Sequence, residues 1–278
     1  MNDNTTPAPE IEASLAKGIH LPPQPRVLAE IDALLQRNAC SLRQLAALVG
    51  KDAGLTARVF KAVHSPLFGL RREVSSLEQA LSLLGLQPAL VIIKGAALRD
   101  AVGGEGKSLE AFWERANDIA LLCGLIARRQ AEVLGIAPGE AHLAGLFHDC
   151  GVPILMQRFP GYCQNLHQAW PDLGEEDAAV GTCHAAVGAL LARNWKLPES
   201  VCRAIRHHHE VADDLLAELP LLAVLLAATH LRNLFYGYAE AGWEKSEPAV
   251  LAALGVSPLT RNEFVDEMLA QFEENLSV

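Results

Sequence analysis

The chain has 278 residues, of which 50% are hydrophobic, and carries a formal net charge of −10 at pH 7. This size and composition allow a large buried core, whereas the acidic balance excludes a general affinity for nucleic acid, which requires concentrated lysine and arginine. The longest uncharged apolar stretch, residues 79–93, is shorter than the ~20 residues that cross a bilayer. Because the first ten residues also lack the basic and apolar regions of a signal peptide, we expect a cytoplasmic protein without a membrane partner.

Capping signals divide the first hundred residues into short predicted helices. Ser41 and Ser75 each stand three residues before a Gln or Glu, which is the spacing of a capping box. Gly85 is a typical helix end, and Pro88 is typical of a first helical position. The predicted helices run from 24 to 36, from 41 onward, from 53 to about 64–66, from 76 to 84 and from 89 to 102.

A glycine-rich stretch at 103–106 is the most flexible point in the middle of the chain, and we predict a boundary between two lobes there. Helical patterns continue after it, and no alternation of polar and apolar residues is long enough to indicate a strand. The sequence therefore predicts an all-α fold. The later helices are expected near 109–130, 139–150, 176–195, 199–210, 220–236, 247–254 and 261–275.

The six cysteines are scattered along the chain among apolar or small neighbours, and none forms a Cys-x-x-Cys pair. This distribution favours buried, reduced cysteines over a disulfide framework or a zinc cage.

A histidine and a carboxylate stand side by side at His148-Asp149, near the end of an apolar predicted helix. His184 and the run 207–209 follow downstream. Helical spacing places His184 and two members of the run on inward faces, with His207 as the expected outward member. Neutral imidazole and carboxylate are ligands of zinc, iron and manganese, so these residues could form one metal site.

Spacing alone leaves other interpretations open. A single histidine on an apolar face is more often a satisfied core residue than a ligand, and Asp149 could instead cap the end of its helix. Arg115 lies on one helical stripe with Ile119, Leu122 and Ile126. Its side chain therefore points either into the interior or, by snorkelling, toward solvent.

Seven separate segments resemble the HDOD domain and follow one another in that family's order over about residues 20–240. The segments are 21–25, 52–65, 75–85, 112–115, 143–151, 181–188 and 195–201. HDOD domains are similar to HD phosphohydrolases, including the HD-GYP phosphodiesterases of cyclic di-GMP, and occur in bacterial signalling proteins. The resemblance implies an all-helical, two-lobed fold and a regulatory role without established catalysis.

The resemblance also implies a division of the chain. Residues 1–19 are expected to form a flexible tail, and residues 20–240 the HDOD domain, with a helical N-lobe at 20–103 and an HD-like lobe at 107–240. Residues 241–278 are expected to form C-terminal helices that pack on the HD-like lobe.

Three positions depart from the pattern of the HD enzymes. Arg115 stands where those enzymes carry a histidine ligand, Val152 where HD-GYP enzymes often carry a lysine, and Asn233 where the late metal-binding aspartate is expected. No Gly-Tyr-Pro follows the histidine run. We expect a degenerate site, because the fixed charge of Arg115 repels a metal and could pair with Asp149. The resemblance leaves a candidate metal set, His148, Asp149, His184 and His208, and further pocket residues, Arg115, His209 and Asn233.

The sequence therefore predicts a bacterial signalling module that is not an enzyme and acts by binding signalling proteins. A cyclic dinucleotide is its candidate small ligand, and a change of lobe packing near 103–107 is the expected mechanism. The alternative is a metal-dependent phosphohydrolase or cyclic-dinucleotide phosphodiesterase, which would use the reduced ligand set with manganese, iron or zinc.

Overall fold

The computed structural model describes residues 18–37, 40–63, 76–103, 106–238 and 242–276. These residues form sixteen α-helices and no β-strand, which confirms the all-α prediction. No helix among them is both long enough and apolar enough to cross a bilayer. The helices are α1 (Arg26–Gln36), α2 (Leu42–Val49), α3 (Ala53–Val63), α4 (Leu77–Leu84), α5 (Leu86–Val102), α6 (Lys107–Arg129), α7 (Ala131–Leu134), α8 (Pro138–Phe147), α9 (Gly151–Arg158), α10 (Leu173–Val180), α11 (His184–Asn194), α12 (Glu199–His207), α13 (Asp213–Glu218), α14 (Pro220–Phe235), α15 (Trp243–Ala253) and α16 (Arg261–Leu276).

Serine side chains cap two helices of the N-terminal half. At α2, Ser41 Oγ accepts the Gln44 N–H at 3.3 Å and Gln44 Oε1 accepts the Ser41 N–H at 3.0 Å, which confirms the predicted capping box. At α4 the cap is Ser76, whose Oγ accepts the Gln79 N–H at 3.1 Å. The prediction of Ser75 as the cap is wrong by one residue, and Ser75 lies outside the described residues. The capping spacing recurs one residue later in Ser76 and Gln79, and this second signal is the one that α4 uses.

Glycine and proline explain where other helices differ from their predicted bounds. Gly85, with φ at +82°, ends α4 as predicted. The next helix, α5, begins at Leu86, because Pro88 is tolerated in a first turn, where backbone N–H groups have no helical partner. Gly181, with φ at +63°, ends α10 and divides the predicted helix 176–195 into two. The short helices α7 and α13, and α9 after the His148-Asp149 turn, are absent from the prediction.

Two groups of helices build the core. Helices α1–α5 pack on one another, and α5 also contacts α8 of the second group. In the second group α6 contacts α8 and α14, and α11 contacts α9 and α12. The C-terminal helices α15 and α16 both pack on α14, and α16 also contacts α6. The division into lobes at 103–107 stays a prediction, since residues 104 and 105 lie outside the described part of the chain.

A hydrogen bond links the entry to α1 with the second group. Trp195 is fully buried at the end of α11 and donates its indole N–H to the Pro22 carbonyl at 3.2 Å. Its ring meets Phe147 edge-on, with ring centres 6.2 Å apart. Ile19 is buried too, so the last residue of the predicted tail belongs to the core, and residues 1–17 lie outside the described residues.

Candidate functional site

The His148-Asp149 doublet lies in the tight turn between α8 and α9, and α9 begins at Gly151. A Cβ atom at Gly151 would lie 2.0 Å from the carbonyl oxygen of His184, at the start of α11. Only glycine therefore allows the two helices to approach so closely. This approach brings the carboxylate of Asp149 to the imidazole of His184.

The carboxylate of Asp149 is buried and faces three imidazoles. Its Oδ2 lies 2.9 Å from His148 Nε2, whereas its Oδ1 lies 3.1 Å from His208 Nε2. The same Oδ1 lies 3.4 Å from His184 Nε2, which in turn lies 2.9 Å from His209 Nε2. Four residues offer donor atoms that all lie within 4.8 Å of one another: Asp149, His184, His208 and His209. Hence His209, predicted only as a pocket residue, lies within this group, whereas His148 faces the other carboxylate oxygen.

Hydrogen bonds at Nδ1 orient the two inner imidazoles. His208 Nδ1 donates to the Ile205 carbonyl at 2.7 Å. His184 Nδ1 donates to Asp177 Oδ2 at 2.7 Å, and the His184 backbone N–H donates to the same oxygen at 3.0 Å. Because a carbonyl and a carboxylate accept hydrogen bonds, both rings carry a proton on Nδ1 and direct Nε2 into the cluster. Metal-binding histidines are commonly oriented in this way.

Burial and neighbouring charges decide the protonation of the cluster. Burial raises the pKa of Asp149, but the charge and hydrogen bond of His148, with hydrogen bonds from His184 and His208, hold this pKa well below its usual range. Burial lowers the pKa of His184, but hydrogen bonds with two carboxylates outweigh burial and raise it to about 10. Burial lowers the pKa of His208. Desolvation of the ring within the cluster, together with the neighbouring His208, lowers the pKa of His209 although the residue as a whole is exposed. Without a metal, the cluster therefore holds an extra proton on His184 at neutral pH.

Arg115 and Asn233 contact each other. Arg115 is 7% exposed, so its side chain points inward. Its Nη1 donates to Asn233 Oδ1 at 3.1 Å, and its guanidinium carbon lies 4.3 Å from the centre of the Trp170 ring. The expected ion pair between Arg115 and Asp149, two residues that the structure describes, does not form. Three imidazoles surround the carboxylate instead, and Trp170 and Asn233 hold the guanidinium.

A cavity of about 670 Å³ adjoins the cluster. Arg115, Trp170 and Trp243 line it together with the donor residues. The Trp243 ring stacks on His230, with ring centres 3.9 Å apart and planes inclined by 7°. The cluster is therefore open to a ligand that enters between aromatic side chains.

The three consecutive histidines differ in exposure because α12 ends at His207. His208 is buried, and His207 is partly exposed, with its Nδ1 3.0 Å from Glu210 Oε1. His209 is the most exposed of the three. The expectation that His207 is the outward member is therefore incomplete, since the residues after the helix end no longer follow helical spacing.

The site also contains Tyr162 and Asp177, which sequence reasoning missed. Tyr162 donates its hydroxyl proton to Asp177 Oδ1 at 2.7 Å, while Asp177 Oδ2 accepts from His184. A continuous helix over 176–195 would separate Asp177 from His184 by about 10 Å along its axis. The break at Gly181 brings them together, so a glycine in the middle of that predicted helix was the available signal.

The sequence profile of the HDOD domain matches residues 21–211. The chain belongs to the HDOD family. An uncharacterized protein of Treponema pallidum is 26% identical over 215 residues, which amount to 74% of this HDOD chain and 41% of that protein. The HDOD chain thus matches less than half the length of this relative.

Solved structures share the fold of this HDOD chain. A Shewanella amazonensis protein, provisionally described as a phosphohydrolase, has a TM-score of 0.69 at 20% identity, and the match covers 96% of this chain and 97% of that one. A Marinobacter aquaeolei protein, provisionally described as a signal transduction protein, has a TM-score of 0.69 at 24% identity, over 95% of this chain and 60% of that one.

Proposed function

We propose that this HDOD chain is a cytoplasmic bacterial signalling module that acts by binding partner proteins. We also propose that its degenerate HD pocket binds one divalent metal ion without hydrolysing phosphodiesters. Family membership and the description of the Marinobacter relative support the signalling role. The hydrogen bond between Arg115 and Asn233 is the observation that carries the non-catalytic part.

The resemblance to HD phosphohydrolases assigns metal ligands to the positions of Arg115 and Asn233. Here one position holds a permanent cation and the other a neutral amide, and the two side chains bond to each other. A guanidinium has no lone pair for a metal and repels it. Two-metal hydrolysis needs both cations to stabilise the attacking and leaving oxygens. A site without these ligands lacks the means to hold a second cation beside His148.

The remaining donors suit a single ion. Asp149 is held in its charged form, and the lowered pKa values of His208 and His209 make it easier for both rings to release a proton and offer a neutral nitrogen to a metal. Asp177 and a backbone carbonyl direct two of the Nε2 atoms inward. When bound, the ion would cross-link the α8–α9 turn, α11 and the end of α12, and would attract an anionic ligand. The chain's own residues would fix the shape of the pocket around it.

Metal content provides the first test. Tag-free protein is incubated with manganese, iron or zinc, desalted and measured by mass spectrometry. We expect about one ion per chain, loss of the ion in His184→Ala and His208→Ala, and no product from a chromogenic phosphodiester or from cyclic di-GMP. Folded protein without metal would contradict the metal proposal. Metal-dependent hydrolysis that is lost in His184→Ala would instead support the phosphodiesterase alternative. The observation in favour of that alternative is that four donor residues converge at one point.

A double variant tests the reason for lost catalysis. Arg115→His combined with Asn233→Asp restores both ligand types that the HD enzymes use. We expect the metal content to rise from about one to about two ions per chain, whereas either single variant stays near one. A double variant that is folded but still binds one ion would show that the Arg115–Asn233 pair is not what prevents the second.

A cyclic dinucleotide is the candidate small ligand of this module. Calorimetry would detect saturable binding, and chromatography of the same sample would show whether product forms. Binding without product, accompanied by slower hydrogen exchange near residues 103–107, would support a change of lobe packing as the signalling step. Unchanged exchange there on saturation would remove that mechanism.

A further inference from the structure

Residues 159–172, here called the strap, connect α9 with α10 without forming a helix. Long segments of this kind inside a compact domain are usually functional. The strap lies on α6: Ser108 Oγ donates to the Gln164 carbonyl at 2.8 Å and lies 2.9 Å from His167 Nδ1. Near the end of the strap, the Trp170 ring stacks on Phe112, with ring centres 6.5 Å apart and planes inclined by 20°.

Arg115 makes a third contact from the same face of α6. Ser108, Phe112 and Arg115 follow the spacing i, i+4, i+7, so their side chains form one row along the helix. The guanidinium of Arg115 lies over the Trp170 ring and donates to Asn233 of α14. Because the guanidinium is buried, water weakens its attraction for the ring very little. This cation therefore joins the strap to two helices of the core.

The other part of the strap supports a histidine of the cluster. Tyr162 donates a hydrogen bond to Asp177 Oδ1, and Asp177 Oδ2 accepts the hydrogen bond that orients His184. The neighbouring Cys163 N–H donates to Glu176 Oε2 at 3.1 Å. The strap is thus fixed to α6 near one end and to the residue that directs His184 near the other.

We propose that Arg115 is a positioning residue that holds the strap closed over the pocket, and that the closed strap keeps His184 oriented through Tyr162 and Asp177. Arginine at position 115, where the HD enzymes carry a metal ligand, then has a second role, because it fixes the strap that lines the pocket. The effect on His184 rests on the proposed metal site. The closure of the strap is independent of that metal site, because every contact that supports it joins two residues of this chain.

Hydrogen exchange of the metal-free, 278-residue chain tests whether Arg115 holds the strap in place. Arg115→Met keeps the length of the side chain and removes its charge. We expect amides of 159–172 to exchange about tenfold faster or more in this variant, while α8 and α14 exchange as in the wild type. Arg232→Met is the control. Arg232 also stacks on an aromatic ring, Tyr236 at 4.7 Å, and pairs with Asp118 of α6 at 3.1 Å, so its loss tests whether a disturbance of α6 is by itself enough to free the strap. Its strap should exchange at the wild-type rate.

A second variant keeps the test decisive if Arg115→Met does not fold. Trp170→Leu removes the same contact from the strap side with Arg115 intact, and should accelerate exchange over 159–172 in the same way. Unchanged exchange in the strap, or equal acceleration throughout α6, α8 and the strap, would overturn the proposal and leave Arg115 as a packing residue.

Metal binding adds a separate readout. If the protein binds one ion, Arg115→Met and Tyr162→Phe should both weaken its affinity about tenfold, as loss of a supporting contact typically does. If the protein binds none, the proposed metal function fails, whereas the exchange result still decides whether Arg115 closes the strap.

Discussion

Replacing Gly151 by alanine tests whether the close approach of α9 and α11 builds the cluster. The new Cβ would lie 2.0 Å from the His184 carbonyl oxygen, 2.8 Å from the His184 carbonyl carbon and 3.0 Å from the Gly188 nitrogen. All three are backbone atoms, so no side chain can rotate away to make room. The start of α11 must retreat by about 1 Å before even the shortest of these contacts becomes tolerable.

This displacement has two consequences. Overpacking of a filled interior costs about 1–3 kcal/mol, which corresponds to a fall of about 3–10 °C in Tm for a chain of this size. The retreat also moves His184 away from Asp149, whose Oδ1 lies 3.4 Å from His184 Nε2 in the wild type. Because a metal bond tolerates only a few tenths of an ångström, we expect the metal content of Gly151→Ala to fall even at temperatures where the protein is folded.

Thermal unfolding and metal analysis of the same preparations check both effects. Gly161→Ala is the control, because a Cβ at Gly161 would meet no atom within 4 Å, and its Tm should stay within about 2 °C of the wild type. A Gly151→Ala protein with wild-type Tm would refute the steric argument. One with lowered Tm but a full metal complement would show that the cluster does not depend on this approach.

Three further predictions concern the surroundings of the cluster. Asp177→Asn should weaken metal binding by about 10–100-fold in calorimetric titrations, and wild-type affinity would show that Asp177 does not support His184. Because the pKa of His184 is raised to about 10, metal must displace its extra proton at neutral pH. Affinity should therefore rise about tenfold per pH unit from pH 6 to 8, with proton uptake by the buffer, and a flat profile would contradict this assignment. Trp195→Phe removes the hydrogen bond to Pro22 and should lower the free energy of unfolding by about 1–2 kcal/mol in urea titrations; an unchanged value would mean that this bond adds nothing to stability.

Local signals allowed much of the fold to be predicted. The Ser41 cap and the Gly85 end depend on residues within a few positions, and both lie where the sequence places them. The inward faces of His184 and His208 also follow from helical spacing, because each ring belongs to, or directly follows, a regular helix. Such features require no knowledge of distant partners.

Contacts between distant segments could not be predicted from the sequence. Arg115 has an inward position that helical spacing allows, but its choice of Asn233 over Asp149 depends on how α14 and the strap pack. Asp177 enters the site only because Gly181, in a left-handed conformation, ends α10 before His184. Both outcomes depend on the combined geometry of several helices, which no local pattern specifies.

The hydrogen bond between Arg115 and Asn233 also limits how this chain could regain the ligands of an HD enzyme. Arg115→His alone removes the guanidinium that donates to Asn233 and still provides no carboxylate. Asn233→Asp alone places a carboxylate beside the buried guanidinium, where the two charges would pair and keep a metal out. Neither single change restores both ligands. Positions 115 and 233 therefore act as one unit, and the ligand set of an HD enzyme would return only when both residues change.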